Sequence, residues 1–212
     1  ATLRWTERTP THNKEGKLME RVIKTYRSLN SLAATGGLVI FGGAEDRLIP
    51  LGELKETFDL QYTFYNRSVP GLCLGNAEKT YDQCVAPLAP QEIYLHIGDA
   101  DIALFTENAA GFDEGYCHLV QHIRSLDKKC RIAIISLKNP DNDPVITDLN
   151  KHLAVIAQNE NCEFCDIAKQ QVWNPRQTKE VVSFLYSIGF VRPLKQKRPL
   201  RTLQRFCFAT NR

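Results

Sequence analysis

Four carboxylates stand in two short turns: Glu45 and Asp46 in Gly42–Gly43–Ala44–Glu45–Asp46, and Asp99 and Asp101 in Gly98–Asp99–Ala100–Asp101. Brought to one crevice, such oxygens suit Mg²⁺ or Ca²⁺, but carboxylates at these places also cap the helices that follow. Capping or solvation is the expectation, and neither a metal nor another cofactor is assigned. His118 and His122 share a helical face at i and i+4, a spacing found in zinc sites. No Glu accompanies the first of them and no third ligand is evident, so a surface or packing role is expected. His96 closes an apolar run and can reach the crevice, although a lone histidine in such a run reads first as a packed core residue. Cys162 and Cys165 spell CxxC, yet an offset of three in a strand sends them to opposite faces, so both read as buried thiols.

One missing group matters as much as those present. The first glycine turn presents Ala44, a methyl group with no proton to give. Ser68, in Asn66–Arg67–Ser68–Val69–Pro70–Gly71, is the hydroxyl available near such a turn, and His96 is the base that could serve it.

These turns need elements to position them. Leu38–Val39–Ile40–Phe41 is apolar on both faces, as a buried parallel strand is, and the two glycines allow a sharp exit. Leu60–Asn66, Gln91–Ile97, Arg131–Ser136 and Cys162–Ile167 read as four further strands. Helical stripes fall between them, at Leu51–Phe58, at Ala77–Val85, and around Phe112, Tyr116, Leu119 and Ile123. Others run around Ile146, Leu149, Leu153 and Ile156, and over Thr178–Ser187, and an amphipathic helix precedes the first strand at about residues 17–33. Strands alternating with helices at this spacing predict an α/β fold of repeated right-handed βαβ units, with a parallel sheet covered on both faces. In such a sheet the ligand crevice lies outside the carboxyl ends of the strands, where all three polar turns fall.

At 212 residues, 43% hydrophobic, the chain is long enough for one well-filled core. A single domain over 1–212 is expected, with a core at 37–190 and an extension at 191–212. Val191–Arg212 holds seven Arg and Lys and no Asp or Glu, so the rest, with 20 basic against 24 acidic residues, is mildly acidic. The basic tail could contact an acidic partner or pack its apolar stripe on the body; no nucleic-acid signal stands out. No stretch approaches the roughly 18 apolar residues that span a bilayer, and no leader is evident. Seven cysteines, an odd number set in apolar surroundings, suggest reduced thiols and a cytoplasmic location.

The order of the three blocks, GGAED, NRSVPG and GDAD, resembles the SGNH (GDSL-like) hydrolases. The resemblance covers about residues 36–190 and implies a three-layer α/β/α fold with a five-stranded parallel, flavodoxin-like sheet. It implies a nucleophilic serine after the first strand, oxyanion donors from a glycine after the second and an Asn after the third, and an Asp-x-x-His before the last helix. Gly71 matches the donor glycine, and Asp101 the third block's aspartate, which ties that loop together. Ala44 stands at the nucleophile, Ala100 at the oxyanion Asn, and Gln170 and Trp173 where Asp and His belong. No Ser lies between Leu38 and Phe58, no Asn between Leu88 and Phe105, and neither Asp nor His between Ala168 and Arg212. No small shift of register restores any of these groups.

The resemblance therefore implies a degenerate member, catalytically inactive, whose former active-site crevice binds a small ligand or a protein partner. That crevice is expected to be formed by Gly43, Ala44, Glu45, Asn66, Gly71, Asp99 and Asp101. The competing expectation is an ester hydrolase with a displaced nucleophile and base, Ser68 and His96.

Overall fold

The structure, a computed structural model, describes residues 10–57 and 63–168. Helix α1 (Pro10–Asn30) leads into β1 (Leu38–Gly42), α2 (Leu51–Thr57), β2 (Phe64–Asn66) and α3 (Leu74–Cys84). Strand β3 (Glu92–His96), helices α4 (Ile102–Glu107) and α5 (Ala109–Leu126), β4 (Arg131–Ile135), α6 (Pro144–Asn159) and β5 (Glu163–Cys165) follow. All strand pairs are parallel, in the order β2-β1-β3-β4-β5. This is the expected flavodoxin-like α/β sheet. The chain enters at β1, turns to one side for β2, then crosses back for β3, so the switch point lies between β1 and β3.

Along β1, β3 and β4, Val39, Phe41, Ile93, Leu95, Ile132 and Ile134 alternate with Ile40, Tyr94, Ala133 and Ile135, and both sets are buried. Successive strand residues face opposite ways, so the sheet is covered on both faces. The first set shares one core with Tyr81 of α3, Phe112, Tyr116 and Leu119 of α5, and Leu149 and Leu153 of α6. Met19, Val22, Ile23 and Tyr26 bring one side of α1 onto it. At the amino ends of the strands, buried Glu92 accepts from Tyr94 and pairs with Arg131 of β4.

Several boundaries differ from the expected ones. Helix α1 ends at Asn30 rather than near 33, where the Asn30 side chain donates to Cys84 O. Helix α3 begins at Leu74, three residues early, where Asn76 Oδ1 accepts from the Cys73 N–H and the Asp101 carboxylate accepts from the Leu74 N–H. The segment after the third strand carries a short helix of its own, α4, before Asn108 caps α5 by accepting from Gly111 N. Strand β5 is shorter than expected, three residues, and the start of the expected second strand, residues 60–62, lies outside the described residues. The expected helix at 178–187 and the basic extension lie outside the described residues. No helix among the described residues is long and apolar enough to cross a membrane.

Candidate functional site

Strands β1 and β3 run side by side with Gly42 opposite His96. A 3₁₀ turn at Asp46–Leu48 carries Asp46 back under the turn it belongs to. There its Oδ2 accepts from the Gly43 N–H at 3.1 Å, and its two oxygens lie 2.9 and 3.0 Å from His96 Nδ1. A Cβ at position 42 would collide with this carboxylate, so the glycine is required by close approach. The side chains of His96 and Asp46 are 10% and 7% exposed. Burial disfavours the imidazolium, but the charge and hydrogen bond of Asp46, with help from Asp99, outweigh burial and the repulsion of Lys138. The result is a His96 pKa held above its ordinary 6.5.

The loop after β2 is tied to this pair. Asn66 Nδ2 donates to Asp46 O at 2.6 Å, while its Oδ1 accepts from Ser68 N at 3.0 Å. Ser68 is fully buried, and its Oγ accepts from Gly42 N at 3.1 Å. Helix α1 holds the same loop from outside: the Tyr26 hydroxyl donates to Ser68 O at 2.9 Å. The Arg67 guanidinium lies 5.0 Å from the ring centres of both Tyr26 and Tyr65 and donates to Asn30 Oδ1 at 3.0 and 2.9 Å. Gly71 follows with φ +72°, a left-handed conformation that favours glycine.

After β3, Gly98 at φ +134° opens the turn that buries Asp101 beneath α3. Its two oxygens accept from Leu74 N at 3.1 and 3.2 Å. Burial pushes the Asp101 carboxyl up; the Leu74 N–H offsets part of this and the charge of Asp99 adds to it.

Between the turns lies a cleft of about 290 Å³. Ala44, Gly71 and Ala100 border it, with Gly43, Glu45, Asp46, His96 and Asp99. Leu72, Ile97, Leu137 and Ile146 supply apolar wall, and Lys138, after β4, reaches Glu45 at 3.3 Å. Two residues expected to form the crevice do not border it. Asn66 spends its amide on Asp46 and Ser68, and Asp101 is drawn under α3. Gln170 and Trp173 lie outside the described residues.

The four turn carboxylates part company: Asp46 serves His96, Asp101 caps α3, Glu45 meets Lys138 and Asp99 is exposed. Among the described residues, no group of three or more His, Cys, Asp or Glu could hold a metal ion. His118 is exposed and His122 Nε2 meets Asp82 at 2.7 Å. Cys165 is buried as expected, whereas Cys162 sits just before β5, only partly buried, and touches Glu160 O and Arg124.

The sequence reading missed the Asp46–His96 pair and the approach of Lys138. The signal in the sequence is that both stand at ends of strands that become neighbours in a flavodoxin-like order.

No protein-family model and no curated protein matches this sequence. Solved structures do. A candidate platelet activating factor from Streptococcus pneumoniae superposes with TM-score 0.67 at 18% identity, over 83% of this chain and 96% of that one. A GDSL-like lipase from Bacteroides thetaiotaomicron gives 0.54 at 17% identity, over 72% and 82%. Axe2, an acetylxylan esterase from Geobacillus stearothermophilus, gives 0.54 at 14%, over 74% and 96%. The chain thus has the fold of the GDSL-like lipases and esterases.

Proposed function

We propose that this chain is an SGNH-fold protein that has lost serine-esterase chemistry and uses the cleft beside β1 and β3 to bind a small ligand or a protein partner. The observation that carries the reading is Ala44, a methyl group bordering the cleft where the fold's hydrolases need a hydroxyl. Ala100, likewise on the cleft, offers no side-chain donor to an oxyanion. The displaced-nucleophile reading draws little support from Ser68, which is sealed below the cleft with its Oγ accepting from Gly42 N. Cys73, Cys84, Cys117, Cys130 and Cys162 stand as thiols, which supports a cytoplasmic setting.

The test is hydrolysis of short p-nitrophenyl esters by the full chain, run beside Ser68→Ala, with fragment binding followed by NMR. The expected result is no turnover above buffer, with fragments shifting the amides of Ala44, Gly71 and Ala100. Turnover that Ser68→Ala abolishes would overturn the proposal in favour of the displaced nucleophile.

A further inference from the structure

We infer that helix α1 is a docking surface for an acidic amphipathic helix of a partner protein, which lays its leucines along Leu18, Thr25, Leu29 and Leu32 and sets its carboxylates beside Lys17, Arg21 and Lys24. The surface is separate from the cleft, which no described residue of α1 borders.

Helix α1 has two apolar sides. One, formed by Met19, Val22, Ile23 and Tyr26, packs on the core. The other is uncovered: Leu18 is 43% exposed and Leu29 47%, and Leu32, in the turn that closes the helix, is 84% exposed. Thr25 between them is exposed too, its hydroxyl donating to Arg21 O. With half-buried Val22, these residues follow one another at steps of four and three, which sets them in a single line along a helix. Such a line is the seam of a two-helix pair, narrower than the broad apolar face with which a helix lies in a bilayer or on a core. The broad face of α1 is already engaged by the body, so the side that remains fits one helix better than a membrane.

Charge selects which helix. Lys17, Arg21 and Lys24 precede Leu18, Val22 and Thr25 by one residue each, so they run along one flank of the seam, and all three are exposed. Within residues 16–32, Lys17, Arg21, Lys24 and Arg27 are basic and Glu20 alone is acidic. None of the three flanking cations takes part in an ion pair among the described residues. A second copy of α1 would bring the same cations to the shared interface, and the chain's own extension at 191–212 carries the same sign, so repulsion disfavours both. An acidic helix with leucines on its seam meets both demands, since flanking charges decide which helices pair. Exposed ion pairs hold weakly, so the leucines supply the affinity and the charges the choice of partner.

The experiment titrates the full chain with two fluorescein-labelled helical peptides of about three heptads, both with Leu along the seam, one flanked by Glu and the other by Lys. In anisotropy the Glu peptide is expected to bind about tenfold or more tighter than the Lys peptide, by a margin that narrows as salt is raised. Leu18→Ser combined with Leu29→Ser, both at exposed positions, should weaken the Glu peptide by about tenfold or more and leave Tm unchanged. Lys17→Glu, Arg21→Glu and Lys24→Glu together should reverse the preference. Equal binding of the two peptides, or binding of neither, would overturn the proposal. A dimer in sedimentation equilibrium that the leucine substitutions dissolve would overturn it in favour of a second copy. Binding to phosphatidylserine vesicles that the same substitutions abolish, with the Glu peptide unbound, would overturn it in favour of a membrane surface. Lys17 and Lys24 slow to acetylate in the free full chain would mean that the chain's own residues cover this face, and would overturn it as well.

Discussion

Asp46 reaches back across the turn after β1 to hold His96 Nδ1, 50 residues away in sequence, at 2.9 Å. The contact joins the two central strands at the switch point of the sheet, where Gly42 and His96 are register partners. It also sets the charge of the cleft, because the carboxylate keeps a nearly buried imidazole protonated to higher pH than an isolated one.

Replacing Asp46 with Asn should lower the His96 pKa, read from the imidazole C–H shifts in an NMR titration. A raised folded-state pKa means that the pair's stabilisation is fully present below the unfolded value of about 6.5 and is lost as pH rises through the folded one. Asp46→Asn should therefore cost about 2 kcal/mol in urea melts on the mildly acid side, and less in alkaline buffer. An unchanged His96 titration would show that the pair does not form.

Gly42→Ala should destabilise by about 1–3 kcal/mol, because its Cβ enters the space of the Asp46 carboxylate. Gly43→Ala is the control: a Cβ there has nothing within 4 Å. Denaturant midpoints should separate the two neighbours, and equal midpoints would contradict the packing.

Arg67→Lys should cost about 1–3 kcal/mol. A lysine keeps the charge but loses the flat cation between Tyr26 and Tyr65 and the paired bonds to Asn30. Hydrogen exchange at Gly71 and Leu72 should speed up in this variant, since α1 would then hold the loop through Tyr26 and Ser68 O without the guanidinium. Exchange as slow as in the wild type would mean that the loop is held by other contacts.

Ala44→Ser should not by itself create an esterase. On the proposed reading a hydroxyl would be added without a base before the last helix, since no Asp or His occurs from Ala168 to Arg212, and without a side-chain oxyanion donor at Ala100. Hydrolysis of p-nitrophenyl acetate measures this. Strong turnover lost again on adding His96→Gln would mean that the Asp46–His96 pair can act as the missing base and orienter.

Asp101→Ala should cost about 0.5–2 kcal/mol by leaving the Leu74 N–H at the start of α3 without its carboxylate. Loss of helicity confined to α3, seen in amide exchange, is the expected signature; uniform exchange would argue against a capping role.

What could be read from the sequence was what depends on local period and on backbone demands. The unbroken apolar run Leu38–Phe41, the stripe Leu149–Leu153–Ile156 and the glycines at the turns report burial and backbone geometry within a few residues. The alternation of these elements predicted a parallel sheet, and the resemblance to the SGNH hydrolases its flavodoxin-like order. The start of α3, the sealing of Ser68 and the pairing of Asp46 with His96 depend instead on partners 26 to 50 residues apart. Each is a hydrogen bond that exists only once strands have paired and a turn has closed, so no local pattern announces it. The sequence by itself determined which residues stand at the ends of the strands; only the packed fold decided which of them border the cleft and which pair with one another.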